Sequence, residues 1–137
     1  MACLLLPLLF ATWIKIPAAE PQAIVTSAAY PSIQAALDAN PNRVIHVPAG
    51  DHRISAKIRI RGENSGLTGP GRIIQTNPEQ PILEIERTRG TLVRDLTLTR
   101  PEGSMDTNSE AILGMQSEDL VLENVRIINN RTRSAAI

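Results

Sequence analysis

Cysteine, aromatics and lysine are scarce in this chain, and each shortage removes a class of protein. The single cysteine, Cys3, leaves no internal disulfide and no multi-cysteine metal site. Phe10, Trp13 and Tyr30 are the only aromatics among 137 residues, too few for a platform that stacks bases or sugars. Lys15 and Lys57 are the only lysines, and 14 basic residues are matched by 14 acidic ones. Zero net charge argues against a phosphate-binding surface, so no nucleic-acid partner is expected. No Asn-Gly or Asp-Gly dipeptide offers a tight hairpin turn. The length allows one domain.

What is abundant is Ile, Leu, Val and Thr, which favour pleated, half-buried surfaces. The first apolar run, Ala2 to Ile16, is interrupted by Pro7, Thr12 and Lys15. It is shorter than the roughly 20 residues a spanning helix needs. Pro17-Ala18-Ala19 supplies small residues at a cleavage point. We read 1–19 as a secretory signal peptide and expect a secreted or periplasmic protein with no stable membrane span. Residues 20–31 read as a linker entering the domain.

Between Tyr30 and Asn40, Ile33, Ala36 and Leu37 fall on one helical stripe. Ser32 caps its start, and Asn40-Pro41 ends it after about two turns. A helix this short must pack on something. From Arg43 onward the pattern is short apolar runs of period two, punctuated by Gly, Pro, Asn and Asp. These runs repeat: the segment 82–100 can be laid on 111–129 without a gap. Leu83 then meets Ile112, Leu92 meets Val121, Val93 meets Leu122, Leu98 meets Ile127 and Asp95 meets Asn124. Ala136-Ile137 restarts the Ala111-Ile112 pattern after a slightly shorter interval. Repeats of strands too short to bury a core alone imply a solenoid, whose stacked coils share one apolar column. The uneven spacing places a bulge at 100–109. A sandwich would need hairpin turns that are absent.

The segment 32–71 resembles the entry module of right-handed parallel β-helix proteins of the pectin-lyase-like superfamily. The resemblance rests on Ile33-Gln34-Ala35-Ala36-Leu37-Asp38, on Val47-Pro48-Ala49-Gly50 and on Leu67-Thr68-Gly69-Pro70-Gly71. DLVLENVRIINN, 119–130, is similar to the coils of the same proteins. The resemblance implies an all-β fold, a right-handed parallel β-helix with a short N-terminal capping helix over 32–137. It also implies a polysaccharide partner and a lyase or glycoside hydrolase acting on acidic glycans such as pectin. The alternative is a non-catalytic adhesin or surface-binding module, since fold alone does not set function. Such β-helices run to many more coils. The expectation is therefore an N-terminal portion, partnered by downstream coils of the same chain that carry the catalysis.

The candidate site residues are few. Asp106-Thr-Asn-Ser-Glu-Ala-Ile112 is distantly similar to the Asn-Thr-Asp-Gly-Ile element of polygalacturonases, with Glu110 where the catalytic Asp would stand. The Gly-Asp-Asp element expected a coil later is replaced by Asn129-Asn130-Arg131. One carboxylate cannot run two-carboxylate hydrolysis. Asp106 and Glu110 are thus the catalytic candidates, against a reading as a solvated loop. Arg59 and Arg61 alternate with Ile58 and Ile60 and so point outward, where they could pair with uronate carboxylates. Arg100, at the root of the bulge, is the third candidate for binding substrate. The rival is a solvated face, as at Arg94 and Glu123, which the register stacks as a salt bridge. His46 should point outward, and His52 follows the Pro48-Ala49-Gly50 turn; the pair is a poor metal set. The resemblance leaves Ca²⁺ open as a cofactor. Clustered carboxylates would be needed, and Glu118-Asp119 is the only acidic dipeptide.

Overall fold

The computed structural model describes residues 23–103, 106–132 and 136–137. The expected signal peptide at 1–19 lies outside them. The helical stripe forms α1 (Ile33–Ala39), with Ile33, Ala36 and Leu37 buried. The Ser32 hydroxyl accepts from the Ala35 N–H at 3.0 Å, satisfying one orphan donor of the first turn. Asn40 closes the helix, donating to the Ala36 carbonyl at 2.8 Å and to the Tyr30 hydroxyl at 2.9 Å.

The rest is short strands. They are β1 (Val25–Thr26), β2 (Val44–His46), β3 (Gly50–Ile54), β4 (Ile58–Glu63), β5 (Gly66–Thr68), β6 (Gly71–Gln75), β7 (Leu83–Arg89), β8 (Leu92–Arg94), β9 (Thr97–Thr99), β10 (Ile112–Met115), β11 (Val121–Glu123) and β12 (Arg126–Ile128). They pair in parallel between coils. Sheet 1 is β1-β2-β5-β8-β11, sheet 2 is β3-β6-β9-β12, and sheet 3 is β4-β7-β10. This is a parallel β-solenoid, and its all-parallel pairing excludes the sandwich. Val25–Thr26, inside the segment read as a linker, already pairs with Ile45 and His46. The first sheet thus begins before α1.

The register read from the repeat appears as real pairs: Ile112 with Leu83, Val121 with Leu92, Leu122 with Val93, and Ile127 with Leu98. The Ala136 carbonyl accepts from the Ala111 N–H at 2.9 Å, as the restart implied. Inward side chains form the column. Ile45, Leu67 and Val93 stack on sheet 1, Ile73 and Leu98 on sheet 2, and Ile60 and Ile85 on sheet 3, all fully buried. Each buried aliphatic contributes about 1.5–3 kcal/mol relative to leaving it in water. α1 packs Ile33, Ala36 and Leu37 onto this column.

The corners differ. Between sheets 1 and 2, Asp95 and Asn124 turn the chain with φ of 63° and 51°. Asn124 Nδ2 donates to Asp95 Oδ1 at 2.8 Å across the coils. Between sheets 2 and 3 the connection grows. The sheet 2 residues Asp51, Arg72 and Thr97 stack on one another through successive coils. So do the sheet 3 residues Ile58, Leu83 and Ile112. The path from Arg72 to Leu83 is four residues longer than that from Asp51 to Ile58, and the path from Thr97 to Ile112 is four longer again. The lengthened connections, 76–82 in one coil and 100–103 with 106–111 in the next, form a wall beside sheet 3.

Candidate functional site

Sheet 3 turns alternate residues outward, and their chemistry changes from rung to rung. On β4, Arg59 and Arg61 point out, with Lys57 just before the strand. On β7 the outward positions are Glu84 and Glu86, and on β10 they are Leu113 and Met115. The first rung faces a cleft with cations, the second carries Glu84 and Glu86 followed by the exposed Arg87 and Arg89, and the third is apolar.

A cleft of about 570 Å³ opens at the first rung. Gln34, Leu37 and Asp38 of α1 form one wall, Lys57, Arg59 and Arg61 another, and Gln80 of the growing corner reaches its edge. Gln34 fixes this geometry. β4 is the edge strand of sheet 3, so the Arg59 backbone has no strand partner on its free side. Gln34 Oε1 accepts from the Arg59 N–H at 2.7 Å, and Gln34 Nε2 donates to the Arg59 carbonyl at 3.2 Å. The side-chain amide thus closes the strand edge as another strand would. Nε2 also donates to Asp38 Oδ1 at 2.8 Å, which orients the amide.

The cations are partly engaged. Glu84, with its side chain 7% exposed, is held between Lys57 and Arg59, the latter at 3.4 Å. Arg61 meets Glu86 at 3.2 Å. The Arg59 and Arg61 side chains remain 51% and 60% exposed. Each guanidinium has five N–H donors, so one carboxylate contact leaves others facing the cleft.

Arg100 is not at this cleft. The sequence offers it as a substrate-binding candidate at the root of the bulge, but it is 2% exposed. It donates through Nε to Asn130 Oδ1 at 2.6 Å, through Nη1 to the Asn77 carbonyl at 2.9 Å and through Nη2 to the Gln80 carbonyl at 2.9 Å. The guanidinium is committed to holding the wall together, which removes it from the substrate-binding candidates. Burial lowers its pKa below the ordinary guanidinium value, because the charged form loses hydration. Thr107, also buried, adds a bond to the Pro78 carbonyl.

Asp106 is exposed on the third-coil corner, and Glu110 is half-buried two residues before β10. Glu110 is engaged by other groups of the fold. Thr107, between them in sequence, accepts from the Ser109 N–H at 3.0 Å. His46 points outward on sheet 1 beside Thr68 and Arg94, in a second hollow. His52 lies within β3 rather than in a turn, and Nε2 meets the Pro48 carbonyl at 2.8 Å. Among the described residues no three His, Cys, Asp or Glu side chains converge on a metal position. The described residues therefore do not fit a calcium set. Nor is any helix among them long and apolar enough to cross a membrane.

Two features of the cleft escape the sequence pattern as read above, Lys57 and the role of Gln34. Lys57 continues the alternation of Arg59 and Arg61 backward by two residues, a readable signal. Nothing in the Ile33-Gln34 motif shows that the amide caps a strand 25 residues away. Comparison with protein-family models, with curated proteins and with solved structures finds no match to this chain.

Proposed function

We propose that this solenoid binds an acidic polysaccharide on the outer face of sheet 3, as part of an exported, polysaccharide-active β-helix protein of the pectin-lyase-like kind. The observation that carries this reading is the cleft at the first rung. It brings Lys57, Arg59 and Arg61 together with half or more of each arginine side chain open to solvent. Planar guanidinium groups pair bidentately with carboxylates, and uronates are the carboxylates of acidic glycans. The volume lies within the range of small-ligand sites, about 300–1,000 Å³.

Lysis or hydrolysis would need more than binding. Lysis requires a base for the proton α to the uronate carboxylate and a positive group for the developing charge. Arg59 and Arg61 suit the second role. For the base, Asp106 and Glu110 remain the candidates. A second reading, a non-catalytic binding module, draws support from the state of the sheet's own acids. Glu84 and Glu86 are tied to cations and are not free to act as bases.

The test is binding and turnover on polygalacturonate, alginate and a neutral glycan, with the purified chain. Salt-sensitive binding to the acidic polymers, weakened at least about tenfold in Arg59→Ala/Arg61→Ala, is expected. Equal binding of the neutral glycan would reject the reading. Release of unsaturated product or reducing ends, abolished by Glu110→Gln, would select the enzyme; binding with no turnover would select the module.

A further inference from the structure

The placement of charge and wall at the cleft bears on which part of a glycan it takes. We infer that it accepts the end of an acidic glycan chain, with one terminal uronate, and not an internal run of uronates. This deepens the glycan-binding reading above and rests on it.

An internal segment needs a groove open at both ends. This one is closed at the first rung. Sheet 3 ends at β4, and α1 lies against the free edge of that strand, locked by the two Gln34 bonds to Arg59. Gln34, Leu37 and Asp38 line the cleft from that side. A chain running along sheet 3 toward the first rung meets the helix and stops.

Charge argues the same way. A run of uronates would place a carboxylate at each successive rung. The cations that line the cleft are Lys57, Arg59 and Arg61 of the first rung, while Arg87 and Arg89 of the second lie at the far end of β7, beside Glu86 and Glu118. The second presents Glu84 and Glu86, in register with the first-rung residues, and the third presents Leu113 and Met115. Carboxylates laid over Glu84 and Glu86 would compete with those two for the cations they already hold. A single uronate at the first rung, with the rest of the chain leading away, avoids that competition. Asp38 adds a negative group on the helix wall, which disfavours a second carboxylate beside the first.

The experiment uses the full chain and galacturonate oligomers of defined length, from the dimer upward, read by titration calorimetry. The expected stoichiometry is one protein per oligomer at every length, with affinity levelling off after the first few sugars. Two further ligand sets locate the end. One has the reducing-end sugar converted to its alditol; the other has an unsaturated sugar at the non-reducing end. One modification is expected to weaken binding about tenfold and the other to leave it unchanged. Protein bound per chain that rises with oligomer length, or affinity indifferent to both modifications, would overturn the inference while leaving glycan binding intact. No binding of any oligomer would instead remove the reading beneath it.

Discussion

Two kinds of corner turn this chain, and they hold it by different means. The corner between sheets 1 and 2 is tight and repeats with local chemistry. Asp95 and Asn124 take left-handed backbone angles that Asn and Asp tolerate, and they bond to each other across the coils. The corner between sheets 2 and 3 lengthens from coil to coil and, among the described residues, has no such ladder. There one buried side chain, Arg100, reaches two carbonyls of the previous coil's corner and the Asn130 amide of the next. A tight turn is stabilised by what its own residues tolerate. A long one needs a long-range clasp, because each added residue adds loop entropy that local bonds do not offset.

The substitution with the largest expected effect is at a tight corner, the one that joins sheet 3 to sheet 1. Gly66 opens β5 there, and a Cβ on it would lie 1.9 Å from the Leu92 carbonyl oxygen. Gly66→Ala must push β5 and β8 apart, costing about 4 kcal/mol, to be read by urea unfolding. A loss below about 1 kcal/mol would show that the sheet yields there.

Arg100→Ala comes next, at about 3 kcal/mol, since it strands two part-buried carbonyls and an amide oxygen. Arg100→Lys should recover little of it, because an ammonium cannot span three acceptors in one plane. Amide hydrogen exchange should accelerate at 76–82 and 106–111 while the Asp95 and Asn124 corners stay protected. Uniform acceleration would mean that the clasp is not local to its corner.

Asn124→Ala removes the ladder bond and leaves a side chain that resists a positive φ, for about 1.5 kcal/mol in thermal unfolding. Asn124→Gly relieves the second cost and should lose about half as much. The smallest effect belongs to Arg94 and Glu123, which meet at 3.7 Å on an exposed face. A double-mutant cycle there should return less than about 0.5 kcal/mol and vanish in high salt.

The apolar repeat was legible because solenoid coils stack residues of one class at fixed spacing. Leu83 over Ile112 and Leu92 over Val121 could be paired on paper, and so could the Asp95–Asn124 contact and the Arg94–Glu123 ion pair. Arg59 and Arg61 pointed outward by alternation alone. The burial of Arg100 is not legible, because strand periodicity stops at Thr99, and beyond it nothing in the sequence tells a buried cation from a solvated one. The stacking of Arg59 over Glu84 over Leu113 on sheet 3 was also hidden. It joins residues on successive coils of unequal length, and the change in spacing becomes visible only once strands are paired.

Sequence by itself determined the solenoid, its register and the helix at its start, since periodicity, capping and turn chemistry are local or evenly repeated properties. Only the tertiary structure decided where the cations converge, which of them stays open to solvent, and that α1 ends sheet 3 through Gln34. Those facts depend on contacts between residues a whole coil apart. The growing corner sets which of them meet, and no local pattern encodes its path.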